Sequence, residues 1–264
     1  TDATGMVGMG DLPGGAFYSV AKSVSGDGSV IVGSGASASG TEAFRWTADG
    51  GLVSLGDMPG GEHFSFANDV SSDGQTVVGR AESGEGIEAF LWTKELGMRR
   101  LGDLPGGEYS SYANSVSADG SVVVGYSYSA QGCEAFRWTE SEGMVGLGDL
   151  NGGLFFSSAV GVSTNGTTIV GNGSTSDVFG ELEPFLWNER HGMRSLGAIL
   201  RDDLGVDLGG WSLGLATDVS ADGLTIGGYG TNPEGQQEGW IAQVPEPATL
   251  ALLGLGGLAM LRRK

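Results

Sequence analysis

The chain has 264 residues, a net charge of −19, 51 glycines and 39% hydrophobic residues. Such an acidic surface excludes direct nucleic-acid binding, which needs Lys and Arg against the phosphates. Cys133 is the only cysteine, so an intrachain disulfide is excluded as well.

One sequence pattern occurs four times at an interval of 46 residues, and a fifth copy follows after 57 residues. A fixed period of about 40–50 residues is typical of propellers and other repeat arrays. Because every copy carries a Ser-x-Asp-Gly-like segment and a tryptophan, we interpret both as structural. The turn residues are Asp27, Asp73, Asp119, Asn165 and Asp222, and the tryptophans are Trp46, Trp92, Trp138, Trp187 and Trp240.

The third copy shows the predicted strands most clearly. It contains four short runs of strand-like composition, separated by Gly, Asp and Ser turns. The Asp119-Gly120 pair between the first two runs predicts a hairpin turn. Simple alternation along the first run places Ala113 and Ser115 on one face and Val116 on the other. Four antiparallel strands per copy are typical of a propeller blade. The sequence therefore predicts an all-β propeller of about five four-stranded blades over residues 1–243.

The third strand and the connectors complete the predicted blade. Phe90 and Trp92, like Phe136 and Trp138, alternate onto one face and are expected to fill the gap between neighbouring blades. Gly-Asp-Leu/Met-Pro-Gly-Gly segments at 10–15, 56–61 and 102–107 are expected to connect one blade to the next. Before the fifth copy, 198–204 is predicted to be a short helix that Gly205 ends.

The two ends of the repeat region raise the question of ring closure. The fifth copy ends after Ile241 and Ala242 without a fourth strand of its own, and Met6–Met9 has the strand composition of the run that starts at Met144. One expectation is that Gly5–Gly10 pairs beside Glu238–Gln243 and closes the last blade. The alternative, which the alignment of Thr1 one place after an absent Trp favours, is a chain that lacks upstream blades.

Residues 244–264 break the repeat. Residues 248–261 carry no charge and are followed by three cations. As a helix this run spans about 21 Å, which is short for a hydrocarbon core of about 30 Å, so a buried or interfacial helix competes on length alone. The terminal position and the cations favour a transmembrane tail anchor.

This tail resembles the PEP-CTERM protein-sorting signal of Gram-negative bacteria. The matching residues are Pro245, Glu246 and Pro247, the Gly/Leu/Ala-rich run, and Arg262, Arg263 and Lys264. The resemblance implies export, a transient inner-membrane anchor, and processing by the membrane enzyme exosortase. It also implies a link to exopolysaccharide and to biofilm or floc formation at the cell surface.

The repeats resemble the HAF family of extracellular repeat proteins. The matching sequence motifs are Glu-Ala-Phe-Arg-Trp at 42–46 and 134–138, Leu-Gly-Asp-Leu-Pro-Gly-Gly at 101–107, and Val-Ser-Ala-Asp-Gly at 116–120. This resemblance implies an extracellular repeat protein and no particular chemistry.

No motif in the sequence predicts catalysis. His63 and His191 lie in separate copies without zinc spacing, and EF-hand spacing of acids is absent, so we predict no cofactor, with calcium as the metal the acidic turns would favour. We expect a non-enzymatic surface or matrix protein that contacts polysaccharide. A glycan-processing enzyme on the same scaffold and a ligand-free periplasmic assembly scaffold remain the alternatives.

Overall fold

In the computed structural model, residues 5–178 and 180–245 are described, and each repeat in them folds into one antiparallel sheet. We call these sheets blades 1 to 5. Blade 1 contains β1 (Gly14–Val24), β2 (Val30–Ser37), β3 (Thr41–Thr47) and β4 (Gly51–Ser54); blade 2 contains β5 (Gly60–Val70), β6 (Thr76–Ser83), β7 (Ile87–Thr93) and β8 (Gly97–Gly102); blade 3 contains β9 (Gly106–Val116), β10 (Val122–Ser129), β11 (Gly132–Thr139) and β12 (Gly143–Gly146).

The last two blades are built on the same plan with shorter strands. A helical segment lies between them and consists of α1 (Leu196–Ala198) and a π-helical turn (Ile199–Asp203), close to the predicted helix; Gly205 follows with φ +65°. Blade 4 contains β13 (Ser157–Val162), β14 (Ile169–Ser174), β15 (Leu182–Asn188) and β16 (Gly192–Ser195), and blade 5 contains β17 (Ser212–Val219), β18 (Thr225–Thr231) and β19 (Gln237–Gln243).

Consecutive strands pair antiparallel within each blade, and the first strands of neighbouring blades lie side by side. A β-bulge interrupts the first strand, as at Asn114 between Ala113 and Ser115. The bulge corrects the simple alternation predicted for this strand, because it brings Ala113 and Val116 into the same hydrophobic cluster. The displaced Asn114 instead uses its amide to donate a 2.8 Å hydrogen bond to Ala159 O in the next blade.

The core lies between the blades, as the third-strand aromatics predict. Phe90 of blade 2 is fully buried against Val32 and Ala43 of blade 1, and Phe136 of blade 3 packs against Val78 and Ala89 of blade 2 in the same way. The aromatic side chains fill the space between neighbouring sheets, and burying each one removes a large apolar surface from water. Burial of these side chains between blades therefore stabilises the packing of one blade on the next.

The predicted closure of the last blade by Gly5–Gly10 is wrong for this structure. Among the described residues β19 pairs with β18 alone, residues 6–10 form no strand, and the side chain of Met6 is fully exposed. The outer face of blade 1 is open too: Val24 is 55% exposed, whereas its equivalent Val116 is 7% exposed. Met6–Met9 has strand-like composition but forms no strand, because pairing also needs the first and last blades to meet, and composition does not determine the angle between them.

Candidate functional site

The blades present two edges with different chemistry. The turn edge carries the hairpins between the first and second strands, and the connector edge carries the segments that lead from one blade to the next together with the start of each first strand. The turn edge consists of residues 25–28, 71–74, 117–120, 163–166 and 220–223, and the connector edge of residues 10–18, 56–64, 102–110 and 148–156.

On the turn edge the serine and the acid hold each hairpin together. Ser117 Oγ donates a 2.7 Å hydrogen bond to Asp119 Oδ1 and accepts one of 3.0 Å from the amide of Val122. The Ser117 and Ser121 hydroxyls stabilise the ionised carboxylate and lower the pKa of Asp119. In blade 1, the Ser29 amide and the Ser25 hydroxyl lower the pKa of Asp27 to about 2.

Hydrogen bonds also join each turn to the next one. The amide of the residue between serine and acid donates to the carbonyl of the equivalent residue one blade later. These bonds run Gly26 to Ser72 at 2.9 Å, Ser72 to Ala118 at 3.0 Å, Ala118 to Thr164 at 3.2 Å, and Thr164 to Ala221 at 3.0 Å. Together with the serine–acid bonds within the hairpins, this continuous series favours a structural role for Asp27, Asp73, Asp119 and Asp222.

The carboxylates of the turn edge thus accept hydrogen bonds from residues of their own hairpins. In the described parts of the chain, no group of three or more His, Cys, Asp or Glu side chains is arranged to hold a metal ion. The two histidines have different partners. His63 Nδ1 lies 3.6 Å from Asp57 Oδ2, and the amide of His191 donates a hydrogen bond to Asn188 within its own turn.

On the connector edge each aspartate is partly desolvated. Asp57 Oδ2 accepts a 3.1 Å hydrogen bond from the amide of Phe64, seven residues later, and Asp149 does the same with Phe156 at 3.0 Å. Among the described residues, the buried Oδ1 atoms of Asp11, Asp57 and Asp149 have no hydrogen-bond partner. Burial raises the pKa of Asp57, and likewise those of Asp103 and Asp149.

Blade 3 shows how this unpaired oxygen can be satisfied. Asp103 Oδ1 accepts a hydrogen bond from the hydroxyl of Ser127. The positions equivalent to Ser127 are Gly35, Ala81 and Gly173, which offer no hydroxyl. A Cβ added at Gly35 or Gly173 would lie 3.4 Å from Oδ1 of Asp11 or Asp149.

An aromatic or imidazole side chain lies at the same position of the connector edge in four blades. Phe17 is 88% exposed, the His63 side chain 58%, Tyr109 38%, and Phe155 is half-buried. Single parallel bridges, Thr41 to Phe64, Ile87 to Ser110 and Cys133 to Phe156, fix the backbone beside the preceding blade. We call Phe17, His63, Tyr109 and Phe155 the aromatic row.

Glycines on the preceding blade permit this close approach. A Cβ added at Gly40 would lie 2.2 Å from His63 O, and one at Gly86 would lie 2.3 Å from Tyr109 O. The backbone at His63, Tyr109 and Phe155 is therefore held against the second hairpin of the preceding blade, which fixes where these side chains leave the main chain.

Two features surround the row. Glu88 is fully buried beneath Tyr109, within 3.1 Å of the Arg100 guanidinium and 3.3 Å of the Tyr109 hydroxyl. Between blades 3 and 4 an apolar groove of about 420 Å³ opens on the same edge. It is lined chiefly by Tyr128, Cys133, Leu154, Phe155, Phe156 and Leu182. Burial raises the pKa of Cys133 to about 12, so its thiol is unreactive at neutral pH.

Of the sequence-predicted tryptophans, Trp92, Trp138, Trp187 and Trp240 belong to or pack against the hydrophobic clusters between blades. Trp138 and Trp240 are buried, at 6% and 9% exposure, and Trp46, Trp92 and Trp187 are half-buried. Sequence reasoning overlooked the aromatic row because its members differ in identity. The available signal was an aromatic or imidazole side chain two places after each Gly-Gly pair of the connectors.

Most of the predicted sorting signal lies outside the described residues. This applies to Glu246, Pro247, the 248–261 run, Arg262, Arg263 and Lys264. Of the remainder, the Val244 amide donates a 2.8 Å hydrogen bond to Leu224 O. No helix within 5–178 and 180–245 has the length and apolar character needed to cross a membrane.

Comparison with solved structures places the fold among TolB-like β-propellers. A TolB-type protein of Agrobacterium tumefaciens matches with TM-score 0.51 and 14% identity, over 84% of this chain and 73% of that one. TolB of Acinetobacter baumannii matches with TM-score 0.53 and 12% identity, over 87% and 55%. An oligogalacturonate lyase of Vibrio parahaemolyticus matches with TM-score 0.54 and 13% identity, over 87% and 62%. This chain therefore spans only part of the length of these proteins, and at such identities the likeness concerns the fold alone.

Comparison of the sequences gives one family. No curated protein matches the chain. Residues 243–264 match the family described as the PEP-CTERM protein-sorting motif, which confirms that part of the tail prediction, while the HAF resemblance stays a prediction. The motif implies that the protein is exported, anchored in the membrane during sorting and processed by exosortase.

Proposed function

We propose that this protein acts outside the cell, in adhesion or in contact with matrix exopolysaccharide, and that it does so by binding rather than by catalysis. The observation that carries the proposal is the PEP-CTERM motif at 243–264, joined to a rigid array of blades. A sorting signal of this kind delivers the array out of the cytoplasm, where an exposed repeat surface meets polymers and other cells.

The distribution of charged groups favours binding over glycan processing. Glycosidases generally use a pair of carboxylates of distinct function at one site. Here the wholly or partly buried acids recur as equivalents in successive blades, as Glu42 with Asp57, Glu88 with Asp103, and Glu134 with Asp149. Repetition of the same pair supports a structural role for these groups, and the likeness to an oligogalacturonate lyase extends to the fold only.

The proposal is tested by localisation in an exosortase-containing host. The full chain is expressed beside a variant with Pro245→Ala, Glu246→Gln and Pro247→Ala, and beside the same full chain in a strain that makes no exopolysaccharide. We expect the full chain in the matrix fraction, the variant retained in the membrane, and the full chain released to the medium from the polysaccharide-deficient strain. A chain that stays periplasmic, or whose distribution ignores the polysaccharide, would contradict the proposal and favour the scaffold alternative.

A further inference from the structure

We propose that the aromatic row, together with the groove between blades 3 and 4, is a binding site for a polysaccharide of uncharged pyranose residues. The inference rests on the proposed function and names its site and ligand class. It concerns Phe17, His63, Tyr109 and Phe155 on the connector edge, none of which takes part in the core clusters between the blades.

The side chains of the aromatic row are wholly or partly exposed, and they belong to none of the core clusters between blades. The equivalent positions of the turn edge and the core repeat one residue type to hold the blades together. In the aromatic row the aromatic or imidazole character is kept while the residue varies, and even where a preceding blade is present the His63 side chain keeps 58% and Tyr109 38% of its surface in water. Large aromatic side chains held at an edge where they contribute little to packing are typical of recognition surfaces.

The side chains of the aromatic row are chemically complementary to a pyranose ring. The C–H face of a pyranose ring is apolar and flat, and it packs against an aromatic ring, while the hydroxyls around its rim need hydrogen-bond partners. The row supplies the rings. The exposed Glu62 and Glu108 carboxylates beside the row supply polar partners.

The distance between successive members of the aromatic row also suits an extended glycan. Facing sheets pack about 10 Å apart, so successive members of the row recur at about the length of a disaccharide in an extended glycan. The parallel bridges to the preceding blade fix the backbone beside His63, Tyr109 and Phe155, which preorganises this part of the row and lowers the entropic cost of binding an extended chain. The groove of about 420 Å³ at Phe155 and Phe156 gives the same edge a concave end.

Charge decides which polysaccharides fit. The chain carries −19 overall, and Glu62, Glu85 and Glu108 lie on or beside the row. Polymers of uronic acids are repelled by this field. Polycations would be attracted to the acidic surface everywhere, so their binding would be independent of the row. An uncharged glycan is the ligand class for which the rings themselves determine affinity.

The experiment measures retardation of the full chain, kept soluble in mild detergent, in native gels containing laminarin or hydroxyethyl cellulose. Alginate serves as the anionic probe and chitosan as the cationic one. The variants are Tyr109→Ala, Phe155→Ala and the pair combined, with Tyr109→Phe as the variant that keeps the ring. Leu96→Ala is the matched control, since Leu96 is an exposed apolar residue, 67% exposed, in the β7–β8 turn away from the connector edge. Thermal unfolding of each variant verifies the fold.

We expect binding to at least one uncharged glycan and none to alginate. Each alanine should weaken that binding about two- to tenfold, in line with the energy of an aromatic contact, with a larger loss in the double variant. Tyr109→Phe and Leu96→Ala should bind as the unaltered chain does, and chitosan binding should not respond to the alanine variants.

The inference is overturned if no uncharged glycan retards the chain, or if the alanine variants bind as tightly as the unaltered chain. These failures are distinguishable from failure of the proposed function. A chain that remains in the matrix fraction of the host while the alanine variants behave normally leaves the function standing and removes this site. A chain that never reaches the matrix removes the function itself.

Discussion

The two edges of the blade array start from the same 46-residue repeat and use it differently. On the turn edge the repeated residues are nearly identical, each serine and acid bond to their own hairpin, and backbone amides join one turn to the next. On the connector edge the aspartate recurs, but the exposed residue six places later changes from Phe to His to Tyr. Identity is retained where the fold depends on it, and variation is found where a surface faces water.

The same comparison explains the opposite pKa shifts of the two sets of aspartates. Hydrogen bonds to the ionised form lower the pKa on the turn edge, as for Asp119, whereas burial raises the pKa of Asp103 on the connector edge. The turn edge is a well-satisfied scaffold, and the connector edge retains unsatisfied buried oxygens close to its exposed rings.

The largest expected contrast is between a core phenylalanine and one in the aromatic row. Phe136→Ala removes a fully buried ring between blades 2 and 3 and should cost about 3–5 kcal/mol of unfolding free energy. Phe17→Ala removes an 88% exposed ring and should change stability by no more than about 0.5 kcal/mol. Urea unfolding of both variants tests this, and a cost for Phe17→Ala comparable to that of Phe136→Ala would show that the row is structural.

A pair of glycine variants tests whether the turns bear on neighbouring blades. Gly120 and Gly28 have almost the same φ, +74° and +73°, so an alanine suffers the same backbone strain at both. A Cβ at Gly120 would also lie 2.4 Å from Thr76 Oγ1 of the preceding blade, while one at Gly28 meets nothing within 4 Å. Gly120→Ala should therefore cost about 1–3 kcal/mol more than Gly28→Ala in unfolding free energy. Equal costs would mean that the turns are not packed blade against blade.

A reciprocal exchange on the connector edge tests the unsatisfied aspartates. Ser127→Ala removes the hydroxyl that bonds Asp103 and should cost about 1–3 kcal/mol, because a buried oxygen loses its partner. Ala81→Ser supplies the equivalent hydroxyl in blade 2 and should stabilise the protein by about 1 kcal/mol through Asp57, whose Oδ1 is unpaired. Melting temperatures that fall in both variants would refute the equivalence of the two blades.

The smallest expected effect is the dependence of stability on pH, since most of these carboxylates are partly exposed and screened. A raised pKa in the folded state means that ionisation of Asp57, Asp103 and Asp149 opposes folding at neutral pH, so stability should rise as the pH falls through those values toward 3.8. Below 3.8, and down to about 2, the lowered pKa values of the turn aspartates mean that stability is lost.

Unfolding free energies measured from neutral pH down to about 2 should therefore pass through an acidic maximum. Asp103→Asn should flatten the rise above 3.8 and Asp119→Asn the fall below it. A monotonic decrease from neutral pH would contradict the raised pKa values assigned to the connector edge.

The sequence was sufficient for the parts of the fold that local chemistry determines. The Asp119-Gly120 hairpin, the four strands of each complete blade and the burial of Phe90 and Phe136 between sheets follow from turn chemistry and from hydrophobic pattern. The bulge at Asn114 did not, because a bulge conforms to no period, and it shifts which residues of the strand face the core. Whether Gly5–Gly10 can pair with the last blade depends on the packing angle summed over five blades. The sequence of a single segment does not determine that angle.

The candidate site was harder to predict from sequence. Motifs are recognised by identity, and the aromatic row keeps only the character of its residues, so Phe17, His63 and Tyr109 are inconspicuous until the structure aligns them on one edge. The strongest motif, Ser-x-Asp-Gly, lies on the turn edge, where hydrogen bonds within and between the hairpins already account for its residues.

The most direct test of the distinction between the edges is hydrogen–deuterium exchange of the full chain with and without the uncharged glycan that it binds most tightly. We expect amides at 62–64, 108–110 and 154–156 to become protected on binding, while those of the turns at 71–74 and 117–120 exchange at unchanged rates. Protection confined to the turn edge, with no change along the aromatic row, would contradict the assignment of the connector edge as the binding surface.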